Sequence, residues 1–276
     1  MEGTEQQGAI AVGTRTLAYR TVGAGPPLLV VNGYGATSTD WDPTLVGTLA
    51  RSFTLLLPDH RGLGGSDLGD PSAPDDLLTV DGLAGDLLAL LDALGIARTA
   101  VVGWSMGGFV AQRLAARAPE RVDALVLLST DPGGPGAVRA DPAVWAALTD
   151  HHGSPRERAA RLLALLFPAA LAGDLDRRFG DVVAQAQAAL PPRALVAQEA
   201  AIATWHHDAP AALPARVPPV LAAHGTQDVV IPAANLDGLA ARWPDCRVER
   251  FAGGGHAFMA QEPERLAALI AGFAGA

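Results

Sequence analysis

The segment TAVVGWSMGG, residues 99–108, constrains the fold more than any other stretch of this chain. Four strand-forming residues lead into Gly103-Trp104-Ser105-Met106-Gly107, and a helical pattern, GGFVAQRLAARAPE, follows directly. A strand passing into a helix through such a turn holds its serine in a strained backbone position, with the hydroxyl clear of the sheet's carboxyl edge. Side chains two residues before and after the serine would meet neighbouring backbone, which accounts for glycine at both places. A strand that runs straight into a covering helix belongs to a parallel sheet buried on both faces.

The flanking sequence extends this pattern. AIAVG and RTLAYRTVG read as two short antiparallel strands. PLLVVNG, FTLLLPDHRG, VDALVLLST, VPPVLAAHG and RVERFAG read as further strands, giving eight with the elbow strand. From Thr79 to Leu94 apolar residues recur at helical spacing, and Gly95 supplies a C-cap. PAANLDGLAARW and PERLAALIAGFA read as later helices. Between about 139 and 212 the chain turns Ala-rich and helical, with candidate helices DPAVWAALTD, SPRERAARLLALLF, LDRRFGDVVAQAQAAL and PRALVAQEAAIATWHH. The expected architecture is α/β: a mostly parallel eight-stranded sheet with helices on both faces. Residues 1–131 and 215–276 form its core, and residues 132–214 form a helical lid inserted after strand 6.

Bulk properties exclude several classes. A length of 276 residues with 49% hydrophobic content suffices for a full core. A net charge of −9 with no basic stripe argues against a nucleic-acid or anionic-membrane partner. One cysteine, Cys246, excludes an internal disulfide and a cysteine cluster for zinc, and its surroundings read as packing. The polar start MEGTEQQGAIAVG lacks the order of a signal peptide, and no apolar run is long enough to span a membrane. A cytoplasmic location is expected, while the oligomeric state is not readable.

Ser105 needs a base, and His256 in FAGGGHAFMAQEP has the best position, just after the last expected strand. The imidazole needs an acid to fix its tautomer. Asp228 follows the penultimate strand within Gly225-x-x-Asp228-x-x-x-Pro232, and Asp131 after VDALVLLST is the rival. The loop VVNGYGAT offers an inward-turned Tyr34 amide, which with the Met106 amide at the start of a helix makes an oxyanion site. Trp104, Trp41 and Phe258 are candidates for lining a substrate pocket. The paired histidines at 151–152 and 206–207 carry no accompanying carboxylate spacing for a metal, so they read as surface or hinge residues of the lid. His224 reads as a packing or loop-bonding residue.

Together these residues resemble the α/β-hydrolase superfamily over nearly the whole chain. Asp59-His60-Arg61-Gly62-Leu63-Gly64-Gly65-Ser66 looks like that family's structural turn after an early strand. The family's oxyanion loop usually begins His-Gly, whereas this chain has Asn32-Gly33. The resemblance implies a cofactor-independent, metal-free serine hydrolase of small hydrophobic esters or lactones. Carbon–carbon bond hydrolysis, perhydrolysis and a ligand receptor on the same fold remain alternatives.

Overall fold

The computed structural model describes residues 5–70 and 77–275, so the first four residues of the polar N-terminal segment lie outside it. Eight strands form one sheet in the order β1-β2-β4-β3-β5-β6-β7-β8. The hairpin of β1 (Gln6–Val12) and β2 (Arg15–Gly23) pairs antiparallel with itself and with β4 (Thr54–Pro58). All further pairings are parallel, through β3 (Pro27–Val31), β5 (Thr99–Trp104), β6 (Val122–Leu128), β7 (Val220–Gly225) and β8 (Arg247–Phe251). The order doubles back at β3, so its neighbours β4 and β5 both follow it in sequence. The expected fold is the one observed.

Strand alternation divides the core into two layers. Leu29, Val31, Val101, Leu125 and Leu127 face α2 (Val80–Ala93) and α3 (Met106–Arg117), meeting Leu83, Leu87, Leu90, Phe109 and Leu114. Leu28, Val30, Val102 and Val126 face the other way, toward α1 (Pro43–Leu49) and α9 (Pro263–Ala274), meeting Leu45, Leu49, Leu266 and Ile270. Helix α8 (Asn235–Arg242) adds Leu236 and Leu239 to the first layer. The sequence reading had no helix at α1. Its signal is short but chemical: Asp42 caps the amides of Thr44 and Leu45, and Pro43 opens the first turn.

Between β6 and β7 lie four helices and, among the described residues, no strand. They are α4 (Pro142–Leu148), α5 (Pro155–Leu166), α6 (Ala169–Ala189) and α7 (Pro192–His207). A capping box between Ser154 and Glu157 starts α5. Helix α6 begins at Ala169, ahead of the expected LDRRFGDVV segment, because Pro168 already accepts from the amides of Leu171 and Ala172.

The turn after β4 is fixed by buried charge. Arg61 binds Asp86 of α2 through two nitrogens, Nη2 to Oδ1 at 2.8 Å and Nε to Oδ2. Arg15 of β2 reaches the same carboxylate at 3.2 Å, and all three side chains are buried. Asp59 closes the turn by accepting from the Ser38 and Gly65 amides at 2.7 and 3.1 Å. Removing one member of a buried ion pair leaves desolvated charge behind. Asp86→Ala is therefore expected to lower unfolding free energy by about 3–5 kcal/mol, read from urea unfolding at neutral pH.

Candidate active site

Ser105 joins β5 to α3 with φ 55° and ψ −123°, a conformation that L-residues rarely hold and that costs about 1–3 kcal/mol. Close packing enforces it. A Cβ on Gly107 would collide with the carbonyl oxygens of Val31 and Asn32, and one on Gly103 with the Gly107 carbonyl. The Ser105 backbone is pinned on both sides, its amide donating to Leu128 O at 2.9 Å and its carbonyl accepting from Thr130 Oγ1 at 2.8 Å. Sequence reasoning had no place for Thr130. Met106 is the first residue of α3, so its amide is among the helix N–H groups without an intrahelical acceptor.

At the neighbouring strand ends, Asp228 and His256 meet across 28 residues of chain, with His256 Nδ1 2.8 Å from Asp228 Oδ2. A carboxylate only accepts, so Nδ1 carries the proton and the Nε2 lone pair is left to act as a base. The other oxygen of Asp228 accepts from the amides of Val230 and Ile231, each at 2.9 Å. His224 Nε2 donates to Ile231 O at 2.8 Å and lies 3.3 Å from Asp228 Oδ2, in the loop-bonding role expected of it. Gln227 N donates to Gly254 O at 2.7 Å, stitching the acid loop to the histidine loop. Burial alone pushes the Asp228 carboxyl up. The charge of His256, the hydrogen bonds from His224 and His256, and the charge of His224 outweigh it and hold Asp228 well below the usual carboxylate range.

Trp104 carries His256 to the elbow. Its Nε1 donates to the His256 carbonyl at 3.1 Å, and the two rings sit 5.6 Å apart. Among the described residues the Ser105 hydroxyl has no hydrogen bond to His256; catalytic hydrogen bonds are commonly loose before substrate binds. The rival acid, Asp131, is turned elsewhere. Its two oxygens meet Trp205 Nε1 at 3.0 Å and His206 Nε2 at 2.9 Å, both on α7. His206 is accordingly buried rather than on the surface, as its neighbour His207 is.

The loop after β3 lies against the serine. A Cβ on Gly33 would stand 3.2 Å from Ser105 Cβ. Asn32, where a histidine was expected by resemblance, is fully buried and both ends of its amide have partners. Nδ2 donates to Pro58 O at 2.8 Å, and Oδ1 accepts from Trp41 Nε1 at 2.7 Å. His60 Nε2 donates to the Asn32 carbonyl at 2.9 Å, from a ring whose burial pushes it below the usual imidazole range. Of the pocket candidates, Trp104 is partly exposed, Trp41 packs edge-on against it at 6.0 Å, and Phe258 is fully buried on Phe251.

The helical insertion bonds to two of these loops, the one that carries His256 and the one after β3. Leu166 O at the end of α5 accepts from the Ala257 amide at 3.0 Å. On α7, Gln198 Oε1 accepts from the Gly35 amide at 2.9 Å, and Glu199 Oε1 accepts from the Tyr34 hydroxyl at 2.6 Å. Sequence reasoning missed both residues. Their signal was an adjacent polar pair within an Ala-rich helix. Among the described residues, no group of three or more histidine, cysteine, aspartate or glutamate side chains is placed to hold a metal. Nor is any helix there long and apolar enough to cross a membrane.

Residues 26–263 match a family model described as alpha/beta hydrolase fold. Over 265 residues the chain is 29% identical to a putative carbamate hydrolase, RutD, of Azorhizobium caulinodans, covering 95% of this chain and 96% of that one. A hydrolase from Pseudomonas aeruginosa superposes with a TM-score of 0.76 at 29% identity, covering 98% of each chain. An enol-lactonase from Burkholderia xenovorans does so with a TM-score of 0.79 at 25% identity, covering 98% of this chain and all of that one.

The depressed Asp228 carboxyl has a consequence for acid stability. A group whose folded pKa lies below its unfolded value of about 3.9 stabilises the fold above that value and loses the contribution as pH falls. Asp228→Asn is expected to flatten the acid limb of the stability curve below about pH 4, measured by urea unfolding at stepped pH.

Proposed function

The chain belongs to the α/β-hydrolase fold family and is a hydrolase, and within that family we propose a serine hydrolase that cleaves a carboxylic ester or lactone through an acyl-enzyme. The observation that carries this reading is the 2.8 Å bond between Asp228 and His256, held beside a strained Ser105 elbow by the Trp104 indole. An acid, an imidazole with a free Nε2 and a serine on a tight turn are the parts that activate a hydroxyl nucleophile.

In this mechanism Ser105 Oγ attacks the substrate carbonyl while His256 Nε2 takes its proton. Asp228 holds the ring and offsets the positive charge that forms on it. The amides of Tyr34 and Met106 hydrogen-bond the tetrahedral oxyanion, the second aided by the N-terminal dipole of α3. Collapse expels the alkoxide, which leaves with the proton from His256. Water activated by the same imidazole then attacks the acyl-enzyme and releases the acid, restoring Ser105. No metal or organic cofactor has a part in these steps.

The four helices after β6 act as a lid over this chemistry, and partly exposed Trp104, Leu166 and Phe167 give it an apolar rim. Such a rim suits a small or medium hydrophobic acyl group. The relatives' names, carbamate hydrolase and enol-lactonase, fit a carbonyl joined to a heteroatom leaving group.

A fluorophosphonate probe tests the nucleophile. The wild-type protein should be labelled at Ser105, Ser105→Ala should not react, and His256→Ala should react far more slowly. Equal labelling of all three would sink the proposal. Among nitrophenyl esters from acetate to laurate, the shorter chains should be cleaved best, and Asp228→Asn should lower kcat by about 10⁴-fold.

A further inference from the structure

The residues from Gly33 to Gly35 carry the proposed oxyanion amide, yet they belong to no helix or strand. Within the loop the one backbone bond is long, Ala36 N to Gly33 O at 3.4 Å. Preorganised donors must lie about 2.7–3.1 Å from the position that the oxyanion will occupy. Something other than the loop's own backbone therefore sets where the Tyr34 amide points.

Two neighbouring side chains of α7 meet this need. Gln198, fully buried, accepts from the Gly35 amide at 2.9 Å and so fixes the backbone on one side of the Tyr34 peptide. Glu199 accepts from the Tyr34 hydroxyl at 2.6 Å and so fixes the far end of the same residue's side chain. The Glu199 oxygen is itself held, because His151 Nε2, from the α4–α5 connection, lies 2.8 Å away. Burial and then the Glu199 carboxylate push the Tyr34 phenol well above its usual range, so it stays a hydrogen-bond donor. Leu195, one turn earlier on α7, packs beside Gly35.

Resting on the acyl-enzyme reading above, we propose that Glu199 and Gln198 are positioning residues for the Tyr34 amide, so that the oxyanion site is complete only when the helical insertion is seated. Neither residue touches the reacting atoms. Both hold a loop of the sheet domain from the insertion, across more than 160 positions of sequence. Hydrogen bonds fail steeply with distance, so a shift of α7 by about an ångström weakens both ties together.

The test uses the full chain with Tyr34→Phe, Glu199→Ala, Glu199→Gln and the double variant Tyr34→Phe/Glu199→Ala. Steady-state hydrolysis of nitrophenyl butyrate gives kcat and KM, and thermal melting checks the fold. Tyr34→Phe and Glu199→Ala should each lower kcat by about 10- to 100-fold, the size of effect that a small misplacement produces. KM should stay within about twofold, as befits an interaction made in the transition state. Glu199→Gln keeps an acceptor for the phenol and should restore kcat to within about threefold of wild type. The double variant should be no worse than the poorer single one, because both remove the same bond. Unchanged kcat in Tyr34→Phe, a loss confined to KM, or losses that multiply in the double variant would each overturn the positioning role. Tyr34→Phe removes a single oxygen and decides the matter even if Glu199→Ala fails to fold. Should the wild-type protein neither cleave the ester nor react with the fluorophosphonate, the acyl-enzyme reading falls and this inference with it. Labelled wild type with indifferent variants overturns the inference alone.

Discussion

The approach of α3 to the end of β3 is the constraint on which the rest of the structure depends. The helix starts so close to the sheet that no side chain fits at Gly103 or Gly107, and the Val31 and Asn32 carbonyls occupy the space a Cβ would take. That proximity forces Ser105 to φ 55°, and the strain is held by the Leu128 carbonyl at the end of β6 and the Thr130 hydroxyl two residues beyond it. The same proximity lays the Gly33 loop against the serine. The proposed nucleophile and the proposed oxyanion donors thus share one cause, a helix seated on bare backbone.

The ends of β6 and β7 show how a fold assigns similar groups to different work. Each strand leads to a buried aspartate, Asp131 and Asp228, and each aspartate is bonded to a histidine at 2.8–2.9 Å. Asp228 faces the loop that carries His256, one strand further along the sheet. Asp131 faces α7 and bonds His206 and Trp205 there, which ties the helical insertion to the sheet. The insertion is also bonded to the histidine loop through Leu166 and to the Gly33–Gly35 loop through Gln198 and Glu199. Its seating therefore bears on two loops of the candidate site, the one after β3 and the one that carries His256.

Asn32 illustrates a substitution absorbed by its surroundings. Each end of its amide finds a partner: Nδ2 donates to the Pro58 carbonyl and Oδ1 accepts from the Trp41 indole. Trp41 in turn packs against Trp104, which bonds His256. A residue buried beneath the proposed oxyanion loop is in this way linked by contact to the proposed base. His60 completes the arrangement as a neutral donor to the Asn32 carbonyl.

Sequence alone determined the strand-helix order, the elbow and the identity of Ser105, because these follow from periodicity and from glycines that local geometry demands. It also located Asp228 just after β7 and His256 just after β8, because each apolar run shows where its strand ends. It passed over α1, whose PTLVGTL sequence is rich in weak helix formers, whereas α4, equally short and likewise opened by Asp-Pro, is legible from its alanines. Tertiary structure decided what spacing along the chain does not encode. It turned the rival acid Asp131 onto α7, buried His206 there, and brought Gln198 and Glu199 to a loop more than 160 residues away. Periodicity reports which face of an element is apolar; which polar group meets which is fixed only when separate elements pack and each buried donor must find an acceptor.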